Sequence, residues 1–132
     1  MCVPVKANAY GHGAVECAKA ALECGVEFLS VATVSEGKEL RENGINAPIL
    51  LFSLCSPEEI SEAVKEKLTP FVFDVEYITA FDKVAKAAGL FHYPVHLAVD
   101  TGMGRIGCLP EQAASLATFI SEKTDLLLEG TC

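Results

Sequence analysis

No stretch of this 132-residue sequence is apolar for long enough to cross a bilayer. Its apolar runs, such as residues 48–52 and 126–128, fall far short of the roughly 20 residues a membrane helix needs. The first six residues lack the charge-then-apolar order of a signal peptide. Basic charge is scarce: Lys plus Arg number 10 against 18 Asp plus Glu, a net charge of −8. That excess argues against a nucleic-acid backbone or an anionic membrane surface as partner. The acidity reads instead as that of a soluble cytosolic protein. The six cysteines form no C-x-x-C pair and no close Cys/His group. A disulfide framework and a structural zinc are therefore not expected, and reduced thiols in a reducing compartment are. No linker, low-complexity stretch or charge run divides the chain, which has the length of one domain.

With 51% hydrophobic and 21% charged residues, the chain can bury a core. Its apolar runs suit strands over residues 2–6, 27–33, 49–53, 69–74, 95–100 and 126–129. They are mostly continuous rather than alternating, as in parallel strands covered on both faces. Pro4 makes the first the weakest strand, because it removes a ladder donor. Between the strands, apolar residues recur at helical spacing: Val15, Ala18 and Leu22; Ile78, Phe81, Ala85 and Ala88; Ala113, Leu116, Ala117 and Ile120. Ser56, Pro57 and Glu59 have the order of a capping box with proline at the first helical position. Gly25, Gly44 and Gly89 stand where helix ends need a left-handed residue.

Six strands with intervening helices make an α/β chain of repeated βα units. Two architectures fit: a doubly wound open sheet, or part of an eight-stranded βα barrel. A full barrel takes about 250 residues. This chain holds five βα units and a sixth strand. It starts within one strand and stops in or just after another, leaving edges that natural domains usually protect. It therefore reads as a piece of a longer protein.

Two segments carry chemistry. Lys6 closes the first predicted strand and opens Lys6-Ala-Asn-Ala-Tyr-Gly-His-Gly13. At the carboxyl end of a barrel strand a partly buried lysine loses its proton more readily than in water, and a neutral amine is what Schiff-base chemistry requires. Tyr10 sets a phenol near the same face. The second segment is Asp100-Thr-Gly-Met-Gly-Arg105, after the fifth strand. Its glycines allow close approach, and Arg105 can offer paired hydrogen bonds to an anionic oxygen. The plain alternatives are a surface lysine and a turn whose arginine pairs with a surface acid. His12 is expected to bond loop backbone, and His96 to lie in a core strand.

Those two segments, at their separation, resemble the two motifs of bacterial alanine racemases. Residues 40–50 and the terminal Leu-Glu-Gly at 128–130 resemble that family in the same order. The resemblance implies a partial TIM-type (β/α)8 barrel, with residues 1–132 as the N-terminal portion and a C-terminal β-domain outside this chain. Strands are then expected in sequential order, with Lys6 and Arg105 at their carboxyl ends. It implies pyridoxal 5'-phosphate as cofactor, held by Lys6 as a Schiff base, with Lys6 also the base on the D-face of the substrate. It further implies Tyr10 on the cofactor phosphate and Arg105 beside the phenolic oxygen and substrate carboxylate. Pro4 and Phe52 would line the cofactor pocket. No metal is implied. One departure stands out: Ala98 occupies the position where several members carry a modified lysine that orients the arginine.

The activity so implied is interconversion of L- and D-alanine, supplying D-alanine for peptidoglycan in a bacterial cytoplasm. A homodimer would provide the opposing tyrosine base from a partner subunit, so this chain alone is expected to be inactive. Racemisation of serine or a broader set of amino acids fits the same residues. So does a non-catalytic barrel that only carries pyridoxal phosphate, and a cofactor-free α/β domain shares the topology.

Overall fold

A computed structural model describes residues 1–132. In chain order the elements are β1 (Cys2–Pro4), α1 (Lys6–Tyr10), α2 (Ala14–Glu23), β2 (Phe28–Val31), α3 (Val34–Glu42), β3 (Ile49–Leu51), α4 (Pro57–Lys65), β4 (Thr69–Val72), α5 (Val75–Ala87), β5 (Tyr93–Leu97), α6 (Pro110–Lys123) and β6 (Leu126–Thr131). All six expected strands form. They belong to two compact units, Met1–Thr69 and Pro70–Cys132.

In the first unit β1 pairs with β2, and β2 with β3, all parallel and in sequential order. Leu29, Val31, Ile49 and Leu51 are fully buried. Leu29 lies opposite Ile49 and Val31 opposite Leu51, so these four side chains share one face. Their burial stabilises the unit by about 25 cal/mol for each Å² of apolar surface withdrawn from water. The first strand is shorter than expected. Val5 still donates its N–H to the Ser30 carbonyl at 2.9 Å. Lys6, placed by the sequence reading inside the strand, instead begins α1.

The helix punctuation follows the sequence. Ser56 and Glu59 form the capping box of α4, with Pro57 in its first turn. At the end of α3, Gly44 has φ +81° and Ile45 donates back to Leu40 at 3.0 Å. A side chain at Gly44 would meet the left-handed penalty that glycine escapes. The same helix is tied down by Arg41, which no motif had singled out. Its guanidinium donates to the carbonyls of Ile45 and Ala47, both at 2.8 Å, Glu66 at 2.9 Å and Lys67 at 3.0 Å.

α3 lies close against Leu68 through Gly37. A Cβ on Gly37 would stand 2.6 Å from Leu68 Cδ1, and Leu68 is fully buried. Gly37→Ala is expected to destabilise the chain by about 1–3 kcal/mol through overpacking. Thermal unfolding of Gly37→Ala, Leu68→Ala and the double variant checks the cause. The Gly37→Ala penalty should vanish once Leu68 is truncated.

In the second unit β4 pairs with β5, and β5 with β6, again parallel. Val72, Val95, Leu97, Ile78, Phe81 and Ile120 are fully buried. Ala88 is the exception to its predicted stripe: it caps α5 and is exposed. Asp82, nearly buried, joins α5 to the start of β6. Its carboxylate accepts from the Asp125 N–H and from Lys86 Nζ, both at 2.8 Å. β5 begins two residues earlier than expected and ends at Leu97. Beyond it Ala98 and Val99 still donate to the Val72 and Cys132 carbonyls, both at 2.8 Å, and Val99 also bridges to Cys108.

Candidate functional site

The segment after β1 is left-handed. Ala7, Asn8, Ala9 and Tyr10 have φ between +50° and +54°. Left-handed helical backbone costs a residue bearing a Cβ about 1–2 kcal/mol, and only asparagine among these four visits it readily. Such strain persists only where the surroundings enforce it. Here they do. Ala9 N–H donates to the Val5 carbonyl at 2.8 Å. Asn8 Oδ1 accepts from Ala14 N–H at 2.8 Å, which also satisfies an amide at the start of α2. His12 Nδ1 lies 2.9 Å from the Ala9 carbonyl. A carbonyl can only accept, so Nδ1 carries the proton, and His12 has the backbone-bonding role expected of it.

A further anchor comes from Glu36, in the first turn of α3, which sequence reasoning missed. Its Oε2 accepts from Ala32 N–H at 2.7 Å and Thr33 N–H at 3.2 Å. Its Oε1 accepts from Ala7 N–H at 2.7 Å. The Thr33-x-x-Glu36 capping box was a readable signal for the first pair. The contact across 29 residues to Ala7 was not.

Lys6 therefore leaves the carboxyl end of β1 between two pinned amides, Val5 and Ala7. It is half-buried and forms no ion pair. Tyr10, the last residue of the same turn, is 60% exposed. Pro4 ends β1 and is exposed. Phe52 directly follows β3, half-buried, and donates its N–H to the Val31 carbonyl at 3.0 Å. Opposite Pro4 stands Ser30, whose hydroxyl is buried without a hydrogen-bond partner.

In the second unit Arg105 lies in the loop that follows β5. Cys108 N–H donates to the Ala98 carbonyl at 2.9 Å, and Asp100 N–H to the Cys108 carbonyl at 2.8 Å, closing the loop at its base. Gly107 makes that closure possible, since a Cβ there would lie 2.5 Å from the Asp100 nitrogen. Arg105 is exposed and forms no ion pair, which removes the plain reading of a turn arginine held by a surface acid. Ala98 is buried, donating to the Val72 carbonyl at 2.8 Å. His96 lies on β5 as expected. It also meets Glu129 Oε2 at 3.1 Å and stacks with Phe71, a pairing the sequence did not disclose.

Asp100 Oδ1 accepts from Gly104 N–H at 3.0 Å and Gly102 N–H at 2.9 Å. Those amides favour its charged form and hold its carboxyl below the ordinary aspartate range, burial opposing weakly. A lowered folded pKa means that the contribution is present above about pH 4 and lost as pH falls through the folded value. The Gly102 and Gly104 amide resonances should therefore shift in that acid window. In Asp100→Asn, which cannot titrate, they should not.

The alanine racemase N-terminal domain family model matches residues 1–132. Alanine racemase of Treponema denticola is 48% identical over the whole chain, which covers 35% of that protein. Alanine racemase of Methanococcus maripaludis is 46% identical over 96% of the chain, covering 34% of that protein. The solved alanine racemase of Clostridium difficile 630 superposes with a TM-score of 0.92 at 38% identity, over 98% of this chain and 34% of that one. The chain thus spans about a third of the length of the relatives it matches. Its parallel strands and covering helices are part of a TIM-type (β/α)8 barrel. On this match over its full length, the chain belongs to the alanine racemase N-terminal domain family.

Proposed function

We propose that this chain supplies the cofactor-bearing lysine of a pyridoxal-phosphate-dependent racemase that interconverts L- and D-alanine. The observation that carries the reading is Lys6, held at the end of β1 by a strained left-handed turn, half-buried and engaged with no carboxylate. The residues present suit the cofactor: an amine for its aldehyde, the Tyr10 phenol for its phosphate, and the Arg105 guanidinium for its phenolic oxygen. The apolar side chains of Pro4 and Phe52 are the proposed ring contacts. When bound, pyridoxal phosphate withdraws electrons so that the substrate Cα–H becomes acidic enough to remove.

Lys6 Nζ anchors the cofactor and then takes and returns the Cα proton on one face of the substrate. Arg105 orients the substrate carboxylate. Racemisation also needs a base on the other face. Tyr93 is buried and Tyr77 packs between Phe73 and Phe81, while Tyr10 is assigned to phosphate. By its likeness to alanine racemases, the second base is assigned to a tyrosine of a partner subunit, in a homodimer acting in the bacterial cytoplasm to supply D-alanine for peptidoglycan.

Borohydride reduction in the presence of pyridoxal phosphate, followed by peptide mapping, tests the anchor. The pyridoxyl group is expected on Lys6. Recovery on Lys38 or Lys65 instead would refute the assignment.

A further inference from the structure

We propose that Glu36 is a positioning residue for Lys6, acting through the amide of Ala7; the inference rests on Lys6 being the cofactor lysine. The capping box of α3 requires only one carboxylate oxygen, and Oε2 fills that role on Ala32 and Thr33. The other oxygen is left to reach Ala7. That amide opens the left-handed turn, where no carbonyl of the turn itself can accept it. A charged acceptor makes this one of the stronger kinds of hydrogen bond.

Its position gives it consequence. The peptide before Lys6 is held through the Val5 carbonyl, which accepts from Ala9 N–H at 2.8 Å, and the peptide after it by Glu36. With both fixed, the direction in which the Lys6 side chain leaves the backbone is fixed too. Without Glu36, only contacts further along the turn oppose the relaxation of Ala7 from its unfavourable φ of +50°. Relaxation there rotates Lys6 relative to Tyr10. Glu36 is thus a link between the first turn of α3 and the lysine, made through backbone and needing no contact with substrate.

The test compares the wild type with Glu36→Gln, Glu36→Asp and Thr33→Ala. In each, the rate of pyridoxyl labelling of Lys6 is followed against pH, with Lys38 and Lys65 as internal references and the thermal midpoint recorded. Glu36→Asp keeps a negative charge at the N-terminus of α3 but is too short to span to Ala7. Thr33→Ala weakens the α3 cap and leaves the Ala7 contact alone. Both Glu36 variants should slow Lys6 labelling about tenfold, the worth of one charge-assisted hydrogen bond, without slowing the reference lysines. Thr33→Ala should lower the midpoint and leave Lys6 labelling unchanged. If Glu36→Gln does not fold, Glu36→Asp carries the same comparison. Wild-type Lys6 labelling in the Glu36 variants overturns the inference and leaves the lysine assignment standing. So does slowing that merely tracks the midpoint across all three variants. Failure of the wild type to label Lys6 overturns the lysine assignment itself.

Discussion

Lys6→Ala is expected to remove racemisation from the complete protein while leaving this chain folded. Its side chain is half-buried and holds no ion pair, so the truncation takes little from the core. The functional loss is double, because the proposed anchor and one of the two bases are the same amine. Loss of a positioned base alone costs about 10²–10⁴-fold, and loss of the covalent anchor compounds it. The assay is D-alanine formation coupled to a D-amino-acid oxidase, with circular dichroism to verify the fold. Lys6→Arg is the informative companion. It keeps the positive charge but cannot form the covalent link, so it should be as inactive as the alanine variant. Substantial turnover in Lys6→Arg would show that charge, and not the amine, is what the position supplies.

Arg41→Ala is expected to be the most destabilising surface substitution. The half-buried guanidinium joins the end of α3 to the segment before β3 and to the end of α4. Removing it strands four carbonyls that accept from a charged donor. Partial rehydration limits the loss, and an overall cost of about 2–4 kcal/mol follows. Thermal unfolding should show the midpoint lowered by roughly 10 °C. Arg41→Lys should recover little, because an ammonium cannot reach four carbonyls in a planar fork. Full recovery by lysine would show that charge alone stabilises the helix end.

Much of this arrangement was legible in the sequence because it depends on neighbours along the chain. The capping box at Ser56 and Glu59 lies within one turn, and Gly44 reports a local need for positive φ. The apolar runs over β2 and β3 disclose strands buried by their own composition. The two motifs marked Lys6 and Arg105 as candidates. The left-handed turn was hidden because alanine at 7 and 9 favours ordinary right-handed helix, and the sequence does not display the tertiary contacts that override it. Glu36 and Arg41 were missed for a related reason. Each has a local role that explains its presence, while its second role spans a distance that periodicity cannot register. Tyr10 was expected near the face that Lys6 occupies, but not that one strained turn would join the two.

The six cysteines form no disulfide, and their distribution equips the molecule with its own reporters. Cys55 is buried in the first unit, and Cys108 in the second. Burial also pushes the Cys108 thiol above its usual range, leaving less of the reactive thiolate. Cys2 and Cys24 stand exposed as fast-reacting references. Brief alkylation during a denaturant titration would therefore time the opening of each unit separately, from a single unmodified sample. Coincident exposure of Cys55 and Cys108 would identify one cooperative transition, and staggered exposure would reveal which half of the barrel segment yields first.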